Sequence, residues 1–284
     1  MINALNGRRA ATFGFGAAML SGAGQTYFIG LFGDALRGAL GLSETALGLL
    51  FGLSTLSSGA LMFWIGAVAD RLQLKYAVAL AAACLGLGAA VMAAATGPVL
   101  LLLAFFLLRL GGQGLCGHLA VVAVARHVEV RRGRALSITV FGFIVGEAIW
   151  PQVLAAALGV LDWRTLWLLV AVAVATLGLP ALYALAAPLP APPIRQSGAP
   201  APLRRRSLMG SMRFVAPLGI VLVPPFLVTA VFFHQSSVAA LKGWDPRAMA
   251  PAFAVFALAQ ALANWLSGRA VDRIGALALM RVQL

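Results

Sequence analysis

Long apolar runs alternate with short polar connections along nearly the whole chain. Eight runs are each 20 or more residues long and almost free of charge. A helix needs about 20 apolar residues to cross a hydrocarbon core about 30 Å thick. Because lipid offers the backbone no hydrogen-bond partners, such runs should be helical. The pattern therefore predicts an all-α, polytopic bundle of membrane helices.

The predicted spans can be placed to within a few residues. They are residues 11–33, 45–69, 76–96, 98–125, 136–160, 165–187, 213–235 and 247–268. A ninth apolar run starts near Ala276 and stops at Leu284, which is too short to cross. We therefore expect eight transmembrane helices followed by a truncated ninth.

Composition agrees with this pattern. Hydrophobic residues make up 62% of the chain and charged residues 10%, whereas a soluble domain carries about 25% charged residues. Of the 21 basic residues, sixteen fall in connections on one side of the predicted bundle and four on the other. Such asymmetry marks the cytoplasmic side. It predicts a multi-pass protein of the inner (cytoplasmic) membrane with a cytoplasmic N-terminus, and it explains the net charge of +13 without a nucleic-acid partner.

A proline- and arginine-rich stretch divides the chain. We expect an N-terminal six-helix bundle at 1–187, a cytoplasmic linker at 188–212, and an incomplete C-terminal bundle at 213–284 that holds helices 7, 8 and the start of 9. Proline prevents a helix from continuing, so the stretch between the bundles should be extended.

A shift of 202 residues aligns spans one and two with spans seven and eight. The shift superimposes Gly41 on Gly243, Phe51 on Phe253, Gly66 on Gly268, Asp70 on Asp272 and Arg71 on Arg273. It also superimposes Ser43 on Asp245, each placed to cap the following helix. Parallel repeats of a bundle are typical of carriers that hold substrate between two halves near the midplane.

The residues inside this repeat carry a resemblance to a known family. Gly66-Ala-Val-Ala-Asp70-Arg71-Leu-Gln-Leu-Lys75 resembles the signature that follows the second helix of the major facilitator superfamily, and Gly268-Arg-Ala-Val-Asp272-Arg273 resembles its echo after the eighth. The resemblance implies a secondary transporter that works by alternating access. It also implies a conformational latch between the halves, formed by Gly66, Asp70, Arg71, Lys75, Gly268, Asp272 and Arg273.

Ionisable residues inside a membrane are costly and usually functional. Arg109 and Glu147 are the two that we place near mid-depth, on consecutive antiparallel helices, where they could pair. Arg109-Leu-Gly-Gly-Gln113-Gly114 resembles the family's fourth-helix motif, in which the arginine is linked to proton coupling or substrate contact. Gln113 should lie one turn from Arg109 on the same face. The remaining candidates to contact substrate are Gln25, Tyr27 and Trp150.

The leading hypothesis is a carrier of small molecules driven by protons or another gradient, with Arg109 favouring anionic substrates. One alternative is a truncated or partner-requiring fragment that does not transport by itself. Another is a membrane scaffold or sensor, which no motif favours. The sequence contains no catalytic arrangement, nucleotide-binding loop or metal-ligand spacing, so neither an enzyme nor a cofactor is expected. The oligomeric state stays open.

Overall fold

The computed structural model describes residues 2–128, 132–191, 210–244 and 246–274. Within these ranges the chain is helical apart from short connections, and the predicted all-α membrane bundle is confirmed. Five unbroken helices are long and apolar enough to cross a membrane, and two further helices that meet at a 58° bend could form a sixth span. The expected ninth helix lies outside the described residues.

We number the helices in chain order. They are α1 Ile2–Leu20, α2 Thr26–Ile29, α3 Gly33–Leu40, α4 Glu44–Ala69, α5 Leu74–Ala93, α6 Pro98–Leu108, α7 Gly117–His127, α8 Arg132–Ala157, α9 Trp163–Ala173, α10 Leu179–Ala186, α11 Met212–Phe233, α12 Gln235–Leu241 and α13 Pro246–Ile274. A π-helical segment, Arg109–Cys116, joins α6 to α7, and another, Val174–Gly178, joins α9 to α10. Residues 2–191 are called the first half below, and residues 210–274 the second half.

The first predicted span is broken instead of continuous. After α1 the chain passes through a 3₁₀ turn, Ser21–Gly24, before α2, and through a second turn, Gly30–Phe32, before α3. A Cβ atom at Gly24 would overlap the carbonyl oxygen of Leu108 and lie 2.8 Å from the Cα of Gly112. The break therefore lets two backbones touch, which a side chain at Gly24 would prevent.

The break in the seventh span is not where the prolines predict it. Helix α11 continues through Pro224-Pro225 and ends at Phe233, and the 58° bend falls at His234. Both proline rings lie on the exposed surface of α11, so they meet no neighbouring backbone. Proline removes a backbone N–H donor and favours a break or a kink, but the helix is not broken at these two residues.

The core of the bundle lies in the first half. Helix α1 packs against α7 and α8, while α5 packs against α6, α9 and α10. The second half is attached to this core, with α13 along α8, and α11 and α12 against the broken first span. The second half thus finds neighbours within this chain.

The backbone supports the repeat seen in the sequence. Gly41 and Gly243 both have positive φ, at 61° and 65°. In each copy the following N–H closes the same turn: Leu42 donates to the carbonyl of Arg37 at 3.1 Å, and Trp244 to that of Ala239 at 2.9 Å. These are equivalent positions under the 202-residue shift. Left-handed glycine in this place is the usual way to end a helix.

The helix breaks repeat as well. Phe32, just before α3, has φ −93° and ψ 2°, and His234, just before α12, has φ −88° and ψ 11°. These two residues are also 202 positions apart. In the first copy Ser43 caps α4 as expected, because its Oγ accepts from the N–H of Ala46 at 3.1 Å; Asp245 lies outside the described residues. Each half therefore begins with a span that breaks at the same place.

Candidate substrate and coupling site

Arg109 is buried at the start of the π-helical segment, and its charge is directed toward the first span. One terminal nitrogen, Nη1, donates to the Gly24 carbonyl and to the Thr26 hydroxyl, each at 3.2 Å. The guanidinium carbon lies 5.2 Å from the centre of the Phe51 ring. Only 4% of the residue is exposed, and its Nε has no hydrogen-bond partner among the described residues. The break after α1 thus supplies the oxygen atoms that hold this arginine.

Gln113 does not share the environment of Arg109. It is exposed, whereas Arg109 is buried. The prediction that they share a face assumed an α-helical turn, but the chain from Arg109 to Cys116 is π-helical. The wider π-helical turn changes the angle between residues four apart.

Glu147 lies on α8 and is 8% exposed. Its electrostatic neighbour is Tyr27 on α2. Trp150, one turn further along α8, donates from Nε1 to the carbonyl of Met19 at 3.3 Å. Within the described ranges the Glu147 carboxylate forms no hydrogen bond and no ion pair. The structure therefore brings together three of the sequence candidates, Tyr27, Glu147 and Trp150. Gln25 is half-buried at the break itself.

Arg109 and Glu147 are not paired. The ion pairs among the described residues do not include them. The suggested pairing was wrong because depth along two neighbouring helices does not fix the direction of a side chain. Arg109 turns to the first span, where Gly24 and Thr26 offer oxygen atoms.

Aromatic rings from both halves surround Tyr27. Its ring centre lies 6.4 Å from that of Phe232 and 6.5 Å from that of Phe253. The backbone carbonyl of Tyr27 accepts from Nε2 of Gln235 at 3.0 Å. We call the set Tyr27, Glu147, Trp150, Phe232 and Phe253 the central cluster. It joins residues of the first span, α8 and the second half.

Above this cluster the two halves meet near the N-terminus of α4, which we call the Glu44 end of the bundle. The rings of Phe51 and Phe233 stack with centres 4.3 Å apart. Nδ1 of His234 lies 2.9 Å from Oε1 of Glu44. A Cβ atom at Gly30 would overlap the carbonyl oxygen of Phe232. Close backbone approach, ring stacking and a hydrogen bond thus close this end.

The other end of α4, the Asp70 end, makes contacts inside the first half. Asp70 Oδ1 accepts from Nη2 of Arg126 at 2.8 Å and from Nε2 of His118 at 2.9 Å. The Asp70 carbonyl also accepts from Arg126 at 2.6 Å. Beside Asp70 and His118 lies a surface pocket of about 330 Å³, which extends along α4 from Gly59 to Gly66.

The other residues of the proposed latch are placed as follows. Gly66 is buried, Arg71 is exposed, and Lys75 lies over the ring of Tyr76 at 4.9 Å. In the second copy Arg273 is exposed, and the burial of Gly268 and Asp272 lies outside what the structure describes.

Sequence reasoning missed several residues that the geometry brings forward. Thr26 holds Arg109, Phe51 joins Arg109 to the second half, and Gln235 joins the second half to Tyr27. His118, which no sequence motif marks, contacts Asp70. A usable signal was available for Phe51, which is identical to its counterpart Phe253 in the repeat.

Comparison with known proteins fits this geometry. The family model described as Major Facilitator Superfamily matches residues 14–284. The chain belongs to the major facilitator superfamily. It is a multi-pass membrane protein, as the composition predicts. No curated protein sequence matches it.

One solved structure of similar fold belongs to a bacterial homologue of the human lysosomal transporter Spinster, in an inward-facing and unoccupied conformation. The TM-score is 0.69 at 19% sequence identity, over 95% of this chain and 64% of the other. The likeness supports the fold of this superfamily. The chain thus spans just under two-thirds of the length of that transporter.

Proposed function

We propose that this protein is a secondary transporter that carries a small molecule across the cytoplasmic membrane by alternating access, driven by protons or another ion gradient. The observation that carries the proposal is the Glu147 carboxylate, which is buried beside Tyr27 without a hydrogen bond or ion pair among the described residues. Membership of the superfamily supports transport as the activity.

A buried carboxylate without a partner is unstable as an anion. Moving a charge out of water costs several kcal/mol per ion, even after relaxation. The cost falls when the carboxylate takes up a proton or meets a cation, and it returns when either leaves. Glu147 is therefore suited to bind and release a proton as the access of water changes, which is the step that couples a carrier to a gradient.

The charge of the substrate is a separate proposal. Arg109 would favour an anion, and its Nε has no partner. Its Nη1, however, already donates to Gly24 and Thr26. Support for an anionic substrate therefore rests on the N–H groups of Nε and Nη2, which these two bonds leave unused.

The state of the bundle follows from its two ends. Contacts between the halves close the Glu44 end, and the charge distribution predicts that this is the outer side. We propose that the chain is in an inward-facing conformation. In this proposal Asp70 and Asp272 belong to the latch that forms when the cytoplasmic side closes. In the present conformation Asp70 is hydrogen-bonded to Arg126 and His118 instead.

A second proposal is that the chain needs a partner, or a longer form, to transport. It is favoured by the 64% coverage of the Spinster homologue. The domain arrangement proposed from the sequence, with bundles at 1–187 and 213–284 around a linker at 188–212, fits either reading.

Glu147→Gln tests the coupling role. Glutamine keeps the shape of the side chain but cannot titrate. In proteoliposomes screened with a panel of small solutes, we expect this variant to lose proton-driven uptake while it keeps exchange of substrate across the membrane. Glu147→Asp is the matched control, since it keeps a carboxylate and should keep part of the driven uptake.

Two outcomes separate the proposals. Driven uptake by Glu147→Gln at the rate of the unchanged protein would refute the coupling role. If the unchanged protein moves no solute alone but does so when co-expressed with a longer form or a partner, the second proposal is favoured.

A further inference from the structure

The bend at His234 lies where the two halves come closest. Helices α11 and α12 meet there at 58°. On one side of the bend Phe233 stacks on Phe51, and on the other Gln235 donates to the carbonyl of Tyr27. Any motion that separates the halves at the Glu44 end must pull this bend away from α4.

The His234 side chain, at the bend, forms a direct polar contact with the first half. Nδ1 of His234 lies 2.9 Å from Oε1 of Glu44. Because an ionised carboxylate only accepts hydrogen bonds, Nδ1 is the donor. The side chains are 41% and 43% exposed, so water and protons reach both of them in the closed bundle.

Few other charges face this contact in the described part of the chain. On α3, Arg37 pairs with Asp34 and also acts electrostatically on Glu44. At the end of α12, Lys242 lies over the ring of Trp244 at 5.8 Å. Arg37, which pairs with Asp34, supports an ionised Glu44. The side chains that hydrogen-bond Glu44 directly are Ser237 and His234 on the second half, and of these two only His234 can take up a proton in this pH range.

We infer that His234 and Glu44 form a proton-binding site that holds the outer side of the transporter closed, separate from the coupling carboxylate at Glu147. Histidine changes its charge between about pH 5 and pH 8. A proton on His234 converts the neutral hydrogen bond into a charge-assisted one, which is stronger. Lowering the pH through this range therefore favours the closed Glu44 end, until Glu44 itself becomes protonated.

The inference rests on the proposed alternating access only in requiring that the Glu44 end opens. Gly48 provides a probe, because a Cβ atom there would lie 4.0 Å from both His234 Cε1 and Phe233 Cε1. A cysteine at Gly48 should react faster with a water-soluble maleimide when the bend has moved away. Gly38→Cys is the matched reference, since a Cβ atom there meets nothing within 4 Å.

The experiment uses the full chain in lipid nanodiscs, with Cys84 and Cys116 replaced by alanine. The rate of Gly48→Cys labelling is divided by the rate of Gly38→Cys labelling, which removes the pH dependence of the thiol reaction. As the pH is lowered from about 8 to about 5.5, we expect the ratio to fall about two- to five-fold. A change of this size corresponds to the free energy that an exposed ion pair contributes. With His234→Gln or Glu44→Gln added, the ratio should not change with pH.

Two results would overturn the inference and have different meanings. A ratio that falls equally in the parent and in both variants would assign the pH effect to other groups, while alternating access stands. Absence of Gly48→Cys labelling at every pH, with Gly38→Cys reacting normally, would show that this end never opens, and the proposed alternating access would fail with it.

Discussion

The two ends of helix α4 differ in what they contact. At the Glu44 end the partners belong to the second half: His234 bonds Glu44, and Phe233 stacks on Phe51. At the Asp70 end the partners of Asp70 are Arg126 and His118, both in the first half. One helix thus connects a closed contact between the halves to a contact that does not depend on the second half.

This difference indicates which contacts would remain if the two halves separated at one side. The contacts at the Asp70 end stabilise the first half whether or not the second half is near. The contacts at the Glu44 end exist only while the halves are together. The Glu44 end should therefore be the sensitive one, and perturbing it should change conformation as well as stability.

The largest effect is expected from Gly30→Ala. Its Cβ atom would overlap the Phe232 carbonyl oxygen and lie 2.9 Å from Nε2 of Gln235. Because the overlap is with backbone, the second half must move away. We expect the free energy of unfolding to fall by about 1–3 kcal/mol, measured by thermal unfolding in detergent, together with faster labelling of Gly48→Cys.

Gly38→Ala is the control for that substitution, because a Cβ atom at Gly38 meets nothing within 4 Å. Its effect should stay within about 0.5 kcal/mol. Equal effects of the two alanine variants would contradict the close approach of the halves at Gly30.

A smaller effect concerns the stacked pair Phe51 and Phe233. A double-mutant cycle with alanine should give a coupling of about 0.5–1.5 kcal/mol. Phe51 also contacts Phe105 edge-to-face at 5.4 Å, within the first half, and this second pair is the internal control. In the Gly30→Ala background the Phe51–Phe233 coupling should vanish while the Phe51–Phe105 coupling remains. Retention of both would mean that the halves are still together.

The smallest effect is expected at the Asp70 end. Asp70 is 43% exposed, so its ion pair with Arg126 is screened by water. Asp70→Asn should cost about 0.2–1 kcal/mol in thermal unfolding and leave the labelling of Gly48→Cys unchanged. Arg71→Gln, at the exposed neighbour, serves as the control. A change in Gly48→Cys labelling on Asp70→Asn would show that the two ends are coupled already in this state.

Most of the helices could be predicted from the sequence, because an apolar run of that length has no other stable form in lipid. Breaks were harder to place. Pro224-Pro225 is a strong local signal, but α11 continues through it. The break at Ser21–Gly24 depends on contact with Leu108 and Gly112, more than 80 residues away. A local pattern does not contain such a partner.

The candidate site was also predicted only in part, because the contacts of its residues are with residues distant in sequence. Burial of charge picked out Arg109 and Glu147 correctly as unusual residues. Their partners could not be read from depth alone, since Arg109 turns to Gly24 and Thr26. No local motif marks His118 or His234 as functional. Their carboxylate partners, Asp70 and Glu44, are 48 and 190 positions away in the chain.

The shared turn at Gly41 and Gly243 has a consequence for engineering. Arg37–Leu42 and Ala239–Trp244 close with the same hydrogen bond and a left-handed glycine but have two different sequences, Arg-Gly-Ala-Leu-Gly-Leu and Ala-Ala-Leu-Lys-Gly-Trp. Only the left-handed glycine is common to both at its position. The two hexapeptides should therefore be interchangeable parts, and a chimera that carries either one in both places should still insert and fold.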